Sequence, residues 1–320
     1  MNVKEIRLYE VLKDDLERLT SKLRISLAYA LHAPPLRPIL RIDKISLRGE
    51  IVSDSFFHKL MAYDGNFIHV CALDSSLKLL MDFGSLKAYL IKTAMEVFVG
   101  KRRIELKESF KLITAISRRE ALKRMAQMEY SIAEEVIEKH EPDLLLLDRG
   151  LINLAYKGRK SLFKKAVAKQ CSVVGICKSS TLTLEDGTPL LSYLALRGAL
   201  LGYDTWYYHP LFPHGLYARM MGEVTVVKLS PESPYVFRMD VYAPQEDLVD
   251  VLGKVAALQD PALPGYPFPL IEAHRDSKIF KYELEIAREA VEERLRGLAE
   301  PLDLCCFRRR DLEGRSYRMG

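Results

Sequence analysis

Four consecutive leucines, Leu144 to Leu147, stand between Asp143 and Asp148. A run with no polar position to turn toward water must be covered on all sides. Alone it is too short and too Leu-rich to assign to helix or strand. Its flanks decide the matter. Residues 117 to 140 read as a helix with Leu122, Met125, Met128 or Glu129, Ile132, Val136 and Ile137 on or near one side, closed by Pro142. A basic helix over roughly 160–169 follows, then a second apolar run, Ser172 to Cys177. Helix–strand–helix–strand order favours parallel strands in an α/β fold.

Upstream, Phe67 to Leu73 reads as a strand ending at Asp74. Leu77 to Asp82 and Leu86 to Phe98 read as two more, and turns at Asp82-Phe83-Gly84 and Gly100-Lys101 suit an antiparallel meander. Residues 3–31 carry Ile6, Val11, Leu12, Leu16, Leu19 and Leu23 at helical spacing, and Pro34, Pro35 and Pro38 end that helix. A short alternating strand, Ile45 to Ile51, follows. The expected division is an N-terminal extension over 1–62 and a main domain over 63–320. Further on, Arg197 to Pro213 reads as irregular chain holding Trp206, Tyr207 and Tyr208. Val224 to Leu229 and Tyr235 to Val241 read as a strand pair and Asp247 to Leu258 as a helix. Pro261 to Pro269 reads as an ordered loop, and 276 to about 300 as one long charged helix before a basic tail with Arg308 to Arg310.

Composition narrows the class. With 48% hydrophobic and 28% charged residues, the 320-residue chain has the apolar content for a core, which excludes disorder as its main state. No apolar stretch approaches the ~20 residues of a membrane span, and the charged start, Met1 to Glu10, has no secretory signal core. Cys71, Cys171 and Cys177 sit in apolar runs, Cys305 and Cys306 are adjacent, and no C-x-x-C pair occurs. A reducing, cytoplasmic setting is expected. Asn and Gln together number seven, a low amide content of the thermophile kind. The net charge of +5 is unevenly spread. Arg149, Lys157, Arg159, Lys160, Lys164, Lys165, Lys169 and Lys178 fall in one segment without Asp or Glu. That segment suits a surface that tracks phosphates, and equally a solvated helix face.

Three acids then stand out. Asp74 and Asp148 each end an apolar run, and Glu129 lies mid-helix among Met125, Met128 and Ile132. Singly, the first two suit turn or cap residues and the third an ordinary helix charge. Together, a meander strand ending in Asp, a helix bearing Glu and a strand ending in Asp match a ribonuclease H-like carboxylate site. Such a site can hold two hard divalent ions about 3.5–4 Å apart, Mn²⁺ or Mg²⁺, for in-line attack on a phosphodiester. The segment Gly265 to His274 adds Tyr266, placed by Pro267 and Pro269, and His274, expected just before the long helix.

On these residues the chain resembles the NurA family of DNA-end-processing nucleases. The Gly-Tyr-Pro-x-Pro-Leu pattern from Gly265 with Ala273-His274 follows Leu73-Asp74-Ser75-Ser76, Glu129 and Leu146-Leu147-Asp148-Arg149-Gly150 in the family's order, over roughly residues 67 to 280. The resemblance implies a ribonuclease H-like core, a mixed sheet flanked by helices. It implies an Mn²⁺-dependent enzyme, a 5'-3' exonuclease and single-strand endonuclease. It also implies a homodimer that processes single- and double-stranded DNA ends for recombinational repair beside a hexameric HerA-type ATPase. Asp74, Glu129, Asp148 and His274 would ligate metal with Tyr266 beside them, and Arg149, Lys157, Arg159, Lys160, Lys164, Lys165 and Lys178 would meet DNA. The setting would be cytoplasmic and nucleoid-associated.

Two positions depart from the family pattern. Ser75 and Arg149 each stand where Gly is frequent, which puts a stiffer backbone and a charge near the carboxylates. A runner-up reading is therefore a DNA-binding or ATPase-docking subunit with a weakened centre. A nucleotide hydrolase is disfavoured, since no G-x-x-x-x-G-K-[ST] loop occurs, and a zinc hydrolase because no H-E-x-x-H does.

Overall fold

The computed structural model describes residues 3–32, 36–42, 45–152, 159–214, 222–260 and 262–296. Lys157, the vicinal Cys305 and Cys306, and the basic tail lie outside the described residues.

The centre of the fold is a mixed sheet. β4 (His69–Asp82), β5 (Lys87–Val99) and β6 (Arg102–Ala115) form an antiparallel meander. The helix α2 (Arg118–His140) leads to β7 (Leu144–Leu147), which pairs parallel to β4. Then α3 (Arg159–Ala168) leads to β8 (Ser172–Cys177), parallel to β7. All four leucines of β7 are 0% exposed, as a strand covered on both faces requires. Beyond β8 the sheet continues antiparallel through β12 (Phe237–Tyr242), β11 (Glu223–Lys228), β10 (Trp206–Tyr208) and β3 (Phe57–Lys59), making nine strands. A meander, a helix and two parallel strands in this order make the expected ribonuclease H-like α/β fold.

Local chemistry sets the element ends. Ser117 caps α2, its Oγ accepting the Glu120 backbone N–H, while the Glu120 carboxylate accepts from the Ile116 N–H. Glu141, in the left-handed region at φ 45°, ends the helix before Pro142. Cores form on both sheet faces. On one, Tyr130, Ala133 and Ile137 of α2 with Leu162 and Phe163 of α3 meet Cys71, Leu73, Leu145 and Leu147. On the other, Val70, Ala72, Leu144 and Leu146 meet α5 (Leu248–Ala257) and α6 (Phe268–Asp276).

Several expectations are corrected here. β4 does not stop at Asp74. It runs on through the stretch expected as a separate strand, because Ser75 to Asp82 keep their pairing with β5 after the sheet's cover thins. The third meander strand is β6, an edge strand exposed along most of its length. Arg197 to Pro213 is not irregular throughout. It holds the end of α4 (Leu190–Leu200) and all of β10, because Trp206 and Tyr208 face a core. Pro261 to Pro269 is not simply a loop: β13 (Gln259–Asp260) pairs with β14 (Leu263–Pro267), and α6 begins at Phe268. The long charged helix expected from 276 starts later, as α7 (Lys281–Arg296), and a separate helix, α6, precedes it and ends at Asp276. Glu283 accepts the Phe280 N–H at 2.7 Å and so starts the second helix separately.

The first 62 residues contribute strands to two sheets. β1 (Pro38–Ile42) lies between β2 (Ile45–Arg48) and β9 (Leu182–Leu184), and β3 pairs with β10. The helix α1 (Val3–His32) docks near its end, where Tyr29 meets Tyr193 of α4 edge-on at 6.2 Å. Val11, Leu12, Leu16, Leu19 and Ile25 are exposed. Among the described residues, no helix is long and apolar enough to cross a membrane.

Candidate metal centre

Register places the two aspartates. In the parallel pair β4–β7, Leu73 lies opposite Leu147, so Asp74 and Asp148 come next along neighbouring strands. The Asp148 N–H reaches the Leu73 carbonyl at 3.4 Å. Leu73 and Leu147 point into the core under α2 and α3, and alternation turns the following residues to the opposite face, where α6 lies. Asp74 is therefore a mid-strand residue beside a strand-end residue, not a second strand end.

His274 sits in the last turn of a separate short helix, α6, which precedes the long helix α7. Its Nδ1 is 2.8 Å from Asp74 Oδ2 and 3.6 Å from Asp148 Oδ2. Ser277, just past α6, places its Oγ 3.0 Å from Asp74 Oδ2 and 3.1 Å from the His274 carbonyl. Asp74 also accepts the Ser75 N–H on Oδ1 at 2.8 Å. Burial, and then the charge of Asp148, push the Asp74 carboxyl above its ordinary range, against the opposing pull of His274 and the Ser75 N–H.

Tyr266 donates its hydroxyl to Asp148 Oδ1 at 2.9 Å, and Lys178 donates to Asp148 Oδ2 at 2.5 Å. The Lys178 ammonium also lies 4.9 Å from the centroid of the Tyr266 ring. Burial and Asp148 raise the Tyr266 hydroxyl pKa, so it stays a donor.

Glu129 is close but faces the centre from the other side of the sheet. It projects from α2 and is held by Arg149, whose Nη2 donates to Glu129 Oε1 at 2.8 Å and whose Nε pairs with Oε2. Burial pushes the Glu129 carboxyl up to about 7 even with Arg149 pulling it down. Ser75, at the other departure, turns toward the same face and pairs its hydroxyl with Thr93 of β5 at 2.8 Å, so the β-branch-free side chain serves as a strand residue.

The basic segment is divided. Lys178 reaches the centre. Lys160 and Lys164 are exposed on α3, whereas Lys165 and Lys169 face Glu138 of α2, and Lys169 also meets Glu141 at the end of that helix. Arg159 opens α3. Trp206 and Tyr208 are buried, so they are not open to a nucleobase. Two groups were not foreseen. Ser277 left no signal apart from its place after Ala273-His274. The Arg238–Asp240 pair, paired at 2.7 and 2.8 Å inside β12, accepts the Ile152 N–H on Asp240 at 3.0 Å and so anchors the chain that follows Asp148. Two charges alternating within the apolar strand Phe237 to Tyr242 were the available clue.

The donor chemistry fits a divalent cation. One ligand atom each from Asp74, Asp148 and His274 lies within 4.8 Å of the others. Two carboxylates that repel each other, joined by an imidazole nitrogen, suit Mn²⁺ and, less well, Mg²⁺. Glu129 is not part of this group.

The chain matches the family model for the NurA domain over residues 69–279. It is similar to the crystal structure of the NurA nuclease from Sulfolobus solfataricus at TM-score 0.58 and 14% identity, covering 94% of this chain and 99% of that one. A second NurA crystal structure matches at 0.54 and 11% identity, covering 88% and 98%. A third, of NurA bound to dAMP and manganese, matches at 0.46 and 10%, covering 87% and 94%. Comparison with curated protein sequences found no match.

Proposed function

The chain belongs to the NurA family, and from that premise we propose that it is a divalent-metal-dependent DNA nuclease. The observation that carries this reading is the convergence of Asp74, Asp148 and His274 within 4.8 Å at the neighbouring central strands β4 and β7 of a ribonuclease H-like frame. A divalent ion bound there supplies Lewis-acid polarisation of a phosphodiester. Asp74 and Asp148 would hold it by oxygen and His274 by nitrogen. Tyr266 and the Ser75 N–H fix how the carboxylates face the cleft. Lys178, half exposed beside Asp148, supplies a cation for a non-bridging phosphate oxygen.

The finer reading follows the family. The enzyme acts at single- and double-stranded DNA ends as a 5'-3' exonuclease and single-strand endonuclease, with Mn²⁺ preferred over Mg²⁺. It works in recombinational repair as a homodimer beside a HerA-type ATPase, in a cytoplasmic, nucleoid-associated setting. The exposed apolar residues of α1 support an interaction surface. A second ion would require Glu129 to leave Arg149.

That ion pair favours a second reading, a weakened centre in a DNA-binding or ATPase-docking subunit. One assay separates the two: end-labelled single- and double-stranded DNA with Mn²⁺, Mg²⁺ or EDTA, wild type beside Asp74→Asn. The nuclease reading expects cleavage by wild type, lost with EDTA and reduced to background in the variant. Equal cleavage by Asp74→Asn in a clean preparation refutes the assignment. DNA binding without cleavage by wild type supports the docking subunit.

A further inference from the structure

With Trp206 and Tyr208 inside the core, the aromatic groups open to a substrate lie elsewhere. A cavity of about 560 Å³ adjoins the metal cleft, and Lys178 and Ile271 line both. Its remaining walls are largely aromatic and proline, with Tyr235, Phe237 and Pro234 from one side and Tyr266 and Pro264 from the other, and Ser233 and the exposed Glu232 complete the lining. Tyr235 is 65% exposed, and its ring centroid is 6.3 Å from that of Phe237. Phe237 in turn meets Tyr266 edge-on at 5.2 Å. The walls are held together by a close backbone approach. Gly265 has φ +97°, and a Cβ there would overlap the Ser233 side chain. Ser233 in turn accepts the Tyr235 N–H at 3.1 Å.

We propose that this cavity is a nucleobase pocket, taking one unstacked base of the substrate strand while the adjoining phosphate lies at Lys178 and the metal cleft. The proposal rests on the DNA-nuclease reading. Its volume lies within the ~300–1,000 Å³ of small-molecule sites. Aromatic walls offer every base a π-face and so suit sequence-tolerant binding. The continuity through Lys178 selects a nucleotide over a protein segment: the cavity carries its cation on the side facing Asp148, where the phosphate of the same nucleotide would be. The ring and the hydroxyl of Tyr266 have separate partners, since Lys178 lies over the ring and Asp148 accepts the hydroxyl.

The test uses the full chain with Ca²⁺ in place of Mn²⁺ and single-stranded oligonucleotides carrying one 2-aminopurine, moved along the strand position by position. Wild type should quench the probe strongly at one position. Tyr235→Ala should lose that quench and Tyr235→Trp should keep it. An abasic site at the same position should weaken wild-type binding about tenfold, within the range of base–aromatic stacking, and leave Tyr235→Ala indifferent. Identical quench profiles in wild type and Tyr235→Ala, or an abasic penalty of equal size in both, overturn the pocket. A change of oligomeric mass in Tyr235→Ala with unchanged DNA affinity also overturns it, and assigns the cavity to a protein contact. Metal-dependent cleavage without any quenched position removes this proposal alone. No cleavage and no DNA binding by wild type removes the nuclease reading with it.

Discussion

Removing Arg149 tests how the Glu129 charge is accommodated. Glu129 is 2% exposed and Arg149 18%, and the guanidinium contacts both carboxylate oxygens. At an effective dielectric near 20, two charges at about 4 Å attract by about 4 kcal/mol. Breaking a buried pair costs about 3–5 kcal/mol, because the surviving charge is left without a partner. In Arg149→Ala the carboxyl, already at about 7 with its partner present, moves higher still. It therefore holds a proton in the folded state that the unfolded chain has released. Folding then binds an extra proton, so stability falls as pH rises, by about 1.4 kcal/mol per pH unit from near 7 up to the new pKa. Wild type, with Glu129 ionised above pH 7, lacks this slope in that window. The assay is urea unfolding of wild type, Arg149→Ala, Glu129→Gln and the double variant in EDTA, from pH 6 to 9. The expected result is a steep slope confined to Arg149→Ala, abolished by adding Glu129→Gln, with a coupling energy of several kcal/mol at high pH. Parallel pH profiles for wild type and Arg149→Ala would refute the reasoning.

Glu96, fully buried on β5, is pushed up to about 7 by burial despite Arg103 at 3.3 Å, and its Oε1 has no hydrogen-bond partner among the described residues. Its folded pKa lies above its unfolded one, so its contribution is whole below about pH 4.5 and lost as pH rises through 7, about 3 kcal/mol in all. Glu96→Gln should therefore unfold at higher urea than wild type at pH 8.5 and converge with it near pH 4.5. Equal midpoints at both pH values count against it. Gly265→Ala combines a positive φ with overlap at Ser233 and should lower stability by about 1–3 kcal/mol in thermal unfolding, with loss of the adjoining cavity. An unchanged melting temperature would show that the hairpin yields without cost.

What could be read in advance was what local chemistry dictates. β7 and β8 are legible from their flanks, because helix–strand–helix–strand order resolves apolar runs too short to assign alone. α2 is legible from its periodic face and from Pro142, which closes it. Asp74, Asp148 and His274 lie within 4.8 Å of one another, in settings that the sequence does not show. Where β4 ends depends on β5 as a partner, which no local pattern reveals. The break at 277–280 depends on Ser277 meeting Asp74, 203 residues away. Glu129 was grouped with the others because its position on a helix says nothing about which sheet face that helix covers. The strand at Trp206 to Tyr208 is not legible, because it is defined by pairing with β3 and β11 and not by a local pattern.

The bond between His274 and Asp74 joins residues 200 positions apart, and that between Tyr266 and Asp148 spans 118. No fragment of the chain holds the centre. It is complete only when α6 is docked on a sheet whose strands β4, β7 and β8 are in register, so its contacts have high contact order. A cation that needs all three ligands binds the native state alone, and at a free concentration of 100 times its dissociation constant it adds about 2.7 kcal/mol to stability. Thermal stability measured against Mn²⁺ concentration thus reads the closing of this centre without any DNA present.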